Sequence, residues 1–322
     1  MEAALLEAVY AAPLDDAPRA VLADFLQERG DPRGHFIALQ LAGRDATALL
    51  AEHGRGWIGD LPIEPASVRW ERGFVAAGRP LAGADPRDPR WRTLHTLAGA
   101  HLLADGAALP ALRQLIGLTD DDLVLLGNLT HPLPIETLGW TSVRSGPGAP
   151  VDRRYAFARI AVVPHLRRLE LHDDREAPRL SDYAFAVEAP GAANVHELAA
   201  RTELSFLFQW LTLRRPRRLE LTEDARYPWR VIARRGADDK LSRLEILAPD
   251  PAPPESWLRV AHRAHTEALL AGLAALPISL LTSVRVVVPA GEYDAATLRL
   301  RDPLASALRA QGRLERVEFA RA

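Results

Sequence analysis

One short phrase recurs along this chain. It is an apolar residue, two residues of any kind, a second apolar residue, one residue of any kind, and a third apolar residue. It stands as Leu166-Arg-Arg-Leu169-Glu-Leu171, Pro216-Arg-Arg-Leu219-Glu-Leu221 and Leu241-Ser-Arg-Leu244-Glu-Ile246. It returns as Leu281-Thr-Ser-Val284-Arg-Val286 and Leu314-Glu-Arg-Val317-Glu-Phe319, with weaker copies starting at Trp91, Leu112 and Ile135. A spaced repeat of this kind marks stacked units, because one unit alone cannot bury its apolar face. Stretches of helical character lie between the phrases, near His101–Ala108, Asp120–Leu129, Arg153–Val163, Val195–Leu213, Ser256–Leu276 and Asp294–Ala310. The expected fold class is therefore α/β. Residues 81–322 are expected to form a curved solenoid whose parallel sheet is backed by helices.

The phrase starts are separated by 21, 23, 31, 50, 25, 40 and 33 residues. The strand phrase resembles that of leucine-rich repeats, whose units hold about 20–29 residues. The asparagine that normally follows the strand is absent: His172-Asp173 follows Leu171, and Thr222-Glu223 follows Leu221. An irregular horseshoe is expected, with loop insertions at Ser145–Pro150 and Pro249–Glu255.

Residues 1–80 read as a separate helical module. Leu5, Leu6 and Val9 have helical spacing, and Pro13 ends that helix. Asp15 and Asp16 before Pro18 signal the next start; Leu22, Phe25 and Leu26 form its buried stripe, and Gly30 closes it. Asp31-Pro32 opens a third helix carrying Phe36, Ile37, Gln40 and Leu41. The blocks Asp15-Asp-Ala-Pro-Arg19, Ala23-Asp24-Phe25-Leu26, Glu28-Arg-Gly-Asp-Pro-Arg-Gly34 and Phe36-Ile37-Ala-Leu-Gln40 resemble the bacterial repeat-companion domain. So does Leu49-Leu-Ala-Glu-His-Gly-Arg55 with Trp57; Phe25 stands where that family often has Trp, and His35 where it often has an acid. The resemblance implies a short helical module ahead of leucine-rich repeats in a bacterial protein, and it carries over no catalytic residue. Asp24, Glu28, Arg29, Asp31 and Arg33 crowd one helix end, where an arginine–carboxylate network is expected to lock the corner.

Composition limits the function classes. The chain has 322 residues, 48% hydrophobic and 25% charged, which is a globular balance. Its 40 basic residues against 42 acidic ones leave a net charge of −2, with no bulk field to draw nucleic acid or an anionic membrane. The absence of cysteine excludes disulfides and thiolate metal sites. Acid near the N-terminus, where a signal peptide carries base, and the proline at 277 late in the uncharged run Ala268–Val284 lead to the expectation of a cytoplasmic protein without a membrane span.

Strand alternation identifies a candidate site. With Leu169 and Leu171 turned inward, Arg168, Glu170 and His172 line the open sheet face. The later phrases add Arg218, Glu220 and Thr222, then Arg243, Glu245 and Leu247, then Arg316, Glu318 and Ala320. Stacked in register, they make a column of arginines beside a column of glutamates, which pair across strands and offer a partner protein a charged strip. The first strands are expected to present Thr93, His95 and Leu97, then Gln114, Ile116 and Leu118. That would make an apolar patch of Leu97, Ile116 and Leu118 for the helical module to cover.

Other motifs carry less chemistry. Gly54-Arg-Gly56-Trp-Ile-Gly59 spells a dinucleotide fingerprint, but it follows a helix instead of a strand, so a helix-ending turn is expected. His196-Glu197 begins a zinc-protease string that fails at Ala200. Asp120-Asp-Asp122 reads as a helix cap. The expectation is a non-enzymatic scaffold that binds another protein and needs no cofactor. The alternatives are a metal-dependent hydrolase using His262, His265 and Glu267, or a nucleic-acid binder reading through the arginines, against which the glutamate column argues.

Overall fold

A computed structural model describes residues 1–104, 106–142, 163–173, 194–202, 210–211, 216–223, 229–236, 241–247, 283–288 and 316–321; the side chains of residues 104, 142, 172–173, 202, 283–288 and 316–321 are not described. The protein is mixed α/β. It divides into two compact units, one built on Met1–Trp140 and the other on Arg167–Ala322.

The first unit begins with four helices: α1 (Glu2–Ala11), α2 (Ala17–Glu28), α3 (Pro32–Leu41) and α4 (Thr47–Ile58). Prolines in the first turns of α2 and α3 are in place for a helix start, since the missing N–H has no intrahelical partner there. The Asp31 carboxylate accepts from the Arg33 amide at 2.8 Å and caps α3. Val9, Tyr10, Leu22, Ala23, Leu26 and Ile37 form one core with Phe74. Helices α2 and α3 touch at Gly34, where an added Cβ would lie 2.6 Å from the carbonyl oxygen of Ala23. The expected arginine–carboxylate network at this corner is absent: no ion pair joins the side chains of Asp24, Glu28, Arg29, Asp31 and Arg33, and the Asp31 carboxylate bonds only the Arg33 backbone amide. Arg29 lies over the Phe25 ring and Arg33 over Phe74, at 5.3 and 5.2 Å. Short arginine-to-ring contacts let the guanidinium keep its charge while its stem packs.

The chain then forms a hairpin of β1 (Arg69–Glu71) and β2 (Phe74–Gly78), followed by β3 (Thr96–Ala98), helix α5 (His101–Ala104), β4 (Gln114–Leu118), helix α6 (Asp120–Gly127) and β5 (Thr137–Ser142). Strands β2 to β5 pair in parallel, each with the next. The hairpin is antiparallel because its loop is only Arg72-Gly73, both with positive φ (51° and 83°), the pattern of a type I′ turn. Around Trp91 the chain makes a 3₁₀ turn, Pro89–Thr93, so the strand starts later than the phrase suggests.

In the second unit, β6 (Arg168–Asp173), β7 (Glu197–Thr202) and β8 (Arg218–Glu223) run parallel. β9 (Arg230–Arg235) is antiparallel to both β8 and β10 (Leu241–Leu247). β11 (Ser283–Val288) and β12 (Arg316–Arg321) continue in parallel from β10. The uniformly parallel sheet expected here is therefore corrected at β9, as it is at β1. Only a few residues join β9 to its neighbours; such connections make antiparallel pairs, whereas a parallel return needs a crossover of a dozen or more.

A second correction concerns Val195–Leu213, expected as helix. Glu197–Thr202 is strand, and Val195, Leu198 and Ala200 are buried. These three form another copy of the phrase. It divides the 50-residue gap into 29 and 21. Helix-favouring Glu, Leu, Ala and Arg give way to pairing of Leu198 between Leu169 and Leu219. The expected helices near 153–163, 256–276 and 294–310, and both expected loop insertions, fall almost wholly outside the described residues.

The phrase itself is the core. Trp91, Leu94, Leu112, Leu115, Ile135, Leu138, Trp140, Leu166, Leu169, Leu171, Leu219, Leu221, Leu241, Leu244 and Ile246 are all buried. Each such side chain contributes about 1.5–3 kcal/mol by leaving water.

Candidate functional site

The apolar patch expected on the first strands shrinks to Ile116, which alone of its three members keeps partial exposure. Leu97 and Leu118 are 1% and 0% exposed, and Thr93, 2% exposed, donates its hydroxyl to the Val75 carbonyl at 2.8 Å. Gly117 explains Leu118. Its φ of +57° lies in the left-handed region, and the pairing of β4 with β5 shifts register between Leu115 and Leu118. This bulge reverses the alternation and turns Leu118 into the core. All three residues of β3 are buried, so that strand has no free face.

His95 is the polar centre of this unit. Its Nδ1 lies 3.0 Å from Glu71 Oε2 and its Nε2 lies 3.0 Å from Arg72 Nη2. Arg72 also donates to the Leu14 carbonyl at 3.2 Å and to Asp16 at 3.1 Å. Since arginine only donates, Nε2 accepts and the proton sits on Nδ1, facing the carboxylate. Burial pushes the His95 pKa below its ordinary value, and the neighbouring Arg72 charge adds to this against the pull of Glu71. Both ring nitrogens are occupied, so His95 is held as a joint between α2 and the hairpin and not offered as a base.

Asp120–Asp122 is a cap, as its sequence indicates. Thr119 Oγ1 accepts from the Asp122 amide at 3.2 Å, and Asp122 Oδ2 accepts from the Thr119 amide at 2.8 Å. Asp122 also accepts from the Ala100 amide, and Asp120 takes the Trp140 indole N–H at 2.9 Å. The glycines of Gly54-Arg-Gly56 lie inside α4, and Gly59 ends it with φ +61°. Glu197 is on a strand, where His196 and position 200 cannot share a helical face. Among the described residues no three His, Asp or Glu side chains are grouped to hold a metal. His262, His265 and Glu267 lie outside the described residues.

The second unit carries the charged strip. Alternation is clean: Leu169, Leu171, Leu219, Leu221, Leu244 and Ile246 are buried, whereas Arg168, Glu170, Arg218, Glu220, Arg243 and Glu245 keep some exposure. Register places Arg168 opposite Glu197 and Glu197 opposite Arg218. Arg168 reaches Glu170 at 2.7 Å, Glu197 at 3.0 Å and Glu220 at 3.9 Å. Arg218 reaches Glu220 at 3.3 Å and Glu197 at 3.9 Å; Arg230 also pairs with Glu220, and Arg243 with Glu245. Burial would raise the Glu220 carboxyl, but the hydrogen bond and charge of Arg230, with Arg168 and Arg218 beside it, hold it below the usual range. Burial would likewise lower Arg168, yet the carboxylates of Glu170 and Glu197 raise it. The backbones of His172, Arg316 and Glu318 are in strands β6 and β12; their side chains lie outside the described residues.

Four charged members of this face were missed in the sequence: Glu197 and Arg201 on the strand expected as helix, and Arg230 and Arg234 on the antiparallel insertion. The signal in Trp229-Arg-Val-Ile-Ala-Arg234 was weak: Trp229, Val231 and Ala233 keep a period of two, but Ile232 between them is apolar and buried as well, which breaks the alternation.

Comparison of the chain with protein-family models, curated proteins and solved structures finds no match to any of them. Among the described residues no helix is long and apolar enough to cross a membrane.

Proposed function

We propose that this chain is a non-enzymatic scaffold that binds a partner protein through the open sheet face of its second unit. In this reading the helical start is a repeat-companion module, the rest is an irregular leucine-rich-repeat-like solenoid, and the protein works in the bacterial cytoplasm. The observation that carries the reading is the half-exposed, ion-paired strip of Arg168, Glu170, Glu197, Arg218, Glu220, Arg243 and Glu245 on one side of a sheet whose other side is core. A stiff sheet with charges held in fixed geometry suits recognition of a complementary surface, and such complementarity acts on specificity and association rate.

Reversal of Arg218 and Arg243 to Glu tests it. The double variant should fold as the parent does and lose the protein that the parent captures from its native cell. Retention of that protein at normal strength would place the binding elsewhere. Stoichiometric zinc in the purified chain, lost on His262→Ala, would favour a metal-dependent enzyme instead.

A further inference from the structure

Resting on the scaffold reading, we infer that Arg218, Arg234 and Arg243 form a three-strand anion row that receives the carboxylates of an acidic segment of the partner protein. Register puts Arg218 directly opposite Arg234, and Arg234 directly opposite Arg243. Three guanidinium-bearing positions thus stand side by side across β8, β9 and β10, about 4.8 Å apart from strand to strand. Like charges directly opposite one another on a sheet are destabilising. A face built only to neutralise itself would put acid at the middle position.

The rest of the strip does so. Arg168, Arg218, Arg230 and Arg243 each have a glutamate within ion-pair distance. Arg234, in the centre of the row, is exposed and pairs with no described carboxylate. The glutamate column that should accompany it is interrupted on the same strand: Ile232 stands between Glu220 and Glu245. Arg201 likewise has no described acid. On the described open face, six arginines (Arg168, Arg201, Arg218, Arg230, Arg234, Arg243) therefore meet four glutamates (Glu170, Glu197, Glu220, Glu245), whereas the whole chain is net negative at −2. The patch is opposite in sign to its protein.

The backbone is also shaped to make the row. Pairing of β9 with β10 shifts register between Leu241 and Arg243, and the Ser242 hydroxyl donates to the Arg234 carbonyl at 3.2 Å. This bulge is what brings Arg243 opposite Arg234 while Leu241 and Leu244 both stay in the core. Arg218 retains a buried Nε–H without an acceptor.

A short run of Asp or Glu fits this row better than a nucleic acid does. Glu197, Glu220 and Glu245 border the arginines, so a continuous polyanion would meet them, whereas a segment spanning three strands stays on the cations.

The test uses the full chain and a labelled twelve-residue peptide of alternating Glu and Gly, with the Gln-Gly peptide and a single-stranded oligonucleotide as comparators. The Glu-Gly peptide should bind, weaken with added salt, and lose about tenfold in affinity on Arg234→Glu, with a smaller loss on Arg234→Gln; circular dichroism should show both variants folded. No binding of the Glu-Gly peptide, equal binding to the Arg234→Glu chain, equal binding of the Gln-Gly peptide, or preference for the oligonucleotide would each overturn the inference. Capture of the cellular partner separates the two proposals. A partner held equally by parent and Arg234→Glu overturns the acidic row and leaves the scaffold standing; capture of no protein by the parent overturns the scaffold.

Discussion

The two units treat their strands differently. In the first, all five residues of β2 and all three of β3 are buried, and a bulge at Gly117 turns one further leucine inward. In the second, buried and part-exposed residues alternate along β6, β8 and β10, and most of the exposed positions are Arg or Glu. A strand covered on both sides serves the core alone, while a strand with one open face can serve the core and a partner together. The same apolar phrase underlies both units. What separates them is the pair of residues flanking the middle apolar position: Thr93 and His95, Gln114 and Ile116, Thr137 and Gly139 in the first unit, but Arg or Glu at all but Ala199 in the copies of the second whose side chains are described.

Substitution of neighbouring residues should expose this contrast most strongly. In β8, Leu219→Ala should cost about 2–5 kcal/mol through the cavity it leaves. Arg218→Ala, one position away, should cost under about 1 kcal/mol, since a part-exposed ion pair contributes little. In β3, by contrast, Leu97→Ala and Ala98→Glu should both destabilise strongly, the second by burying an unpaired charge. Urea unfolding of the four variants checks this. A large cost at Arg218, or a small one at Ala98, would break the comparison.

Acidification should act next, and on the first unit. The folded pKa of His95 lies below its ordinary value, so the unfolded chain takes up the proton first as pH falls. The stability that neutral His95 contributes is complete above about pH 6.5 and is lost as pH falls through the folded value. The melting temperature should therefore fall between pH 7 and pH 5, and His95→Gln should flatten that part of the profile. A melting temperature that rises over this interval would show that the Glu71 contact outweighs burial.

The smallest effect is expected at Arg234. If its position between Arg218 and Arg243 serves a partner at a cost to the sheet, Arg234→Glu should stabilise the chain by about 0.2–1 kcal/mol even though it impairs binding. Chemical denaturation measures this. A loss of stability would mean that Arg234 supports the fold and the row is structural.

Much of this was legible along the chain because it depends on neighbours in sequence. Prolines 18 and 32, Asp31 and Gly30 start and stop helices through features local to one turn, and the first two apolar places of the phrase mark the core at each copy whose side chains are described. Period-two alternation also placed Arg168, Glu170, Arg218, Glu220, Arg243 and Glu245 on one face. The remainder was decided by pairing between distant residues. Glu197-Leu-Ala-Ala-Arg201 has helix-forming residues and became a strand because Leu169 and Leu219 flank Leu198 in space. The bulges at Gly117 and Ser242 set which side chain faces in, through register with the adjoining strand. Arg234 meets two arginines only because β9 runs backward between parallel neighbours in a register that sets it opposite both, and register is fixed by pairing with the adjoining strands and not by the residues of β9 alone.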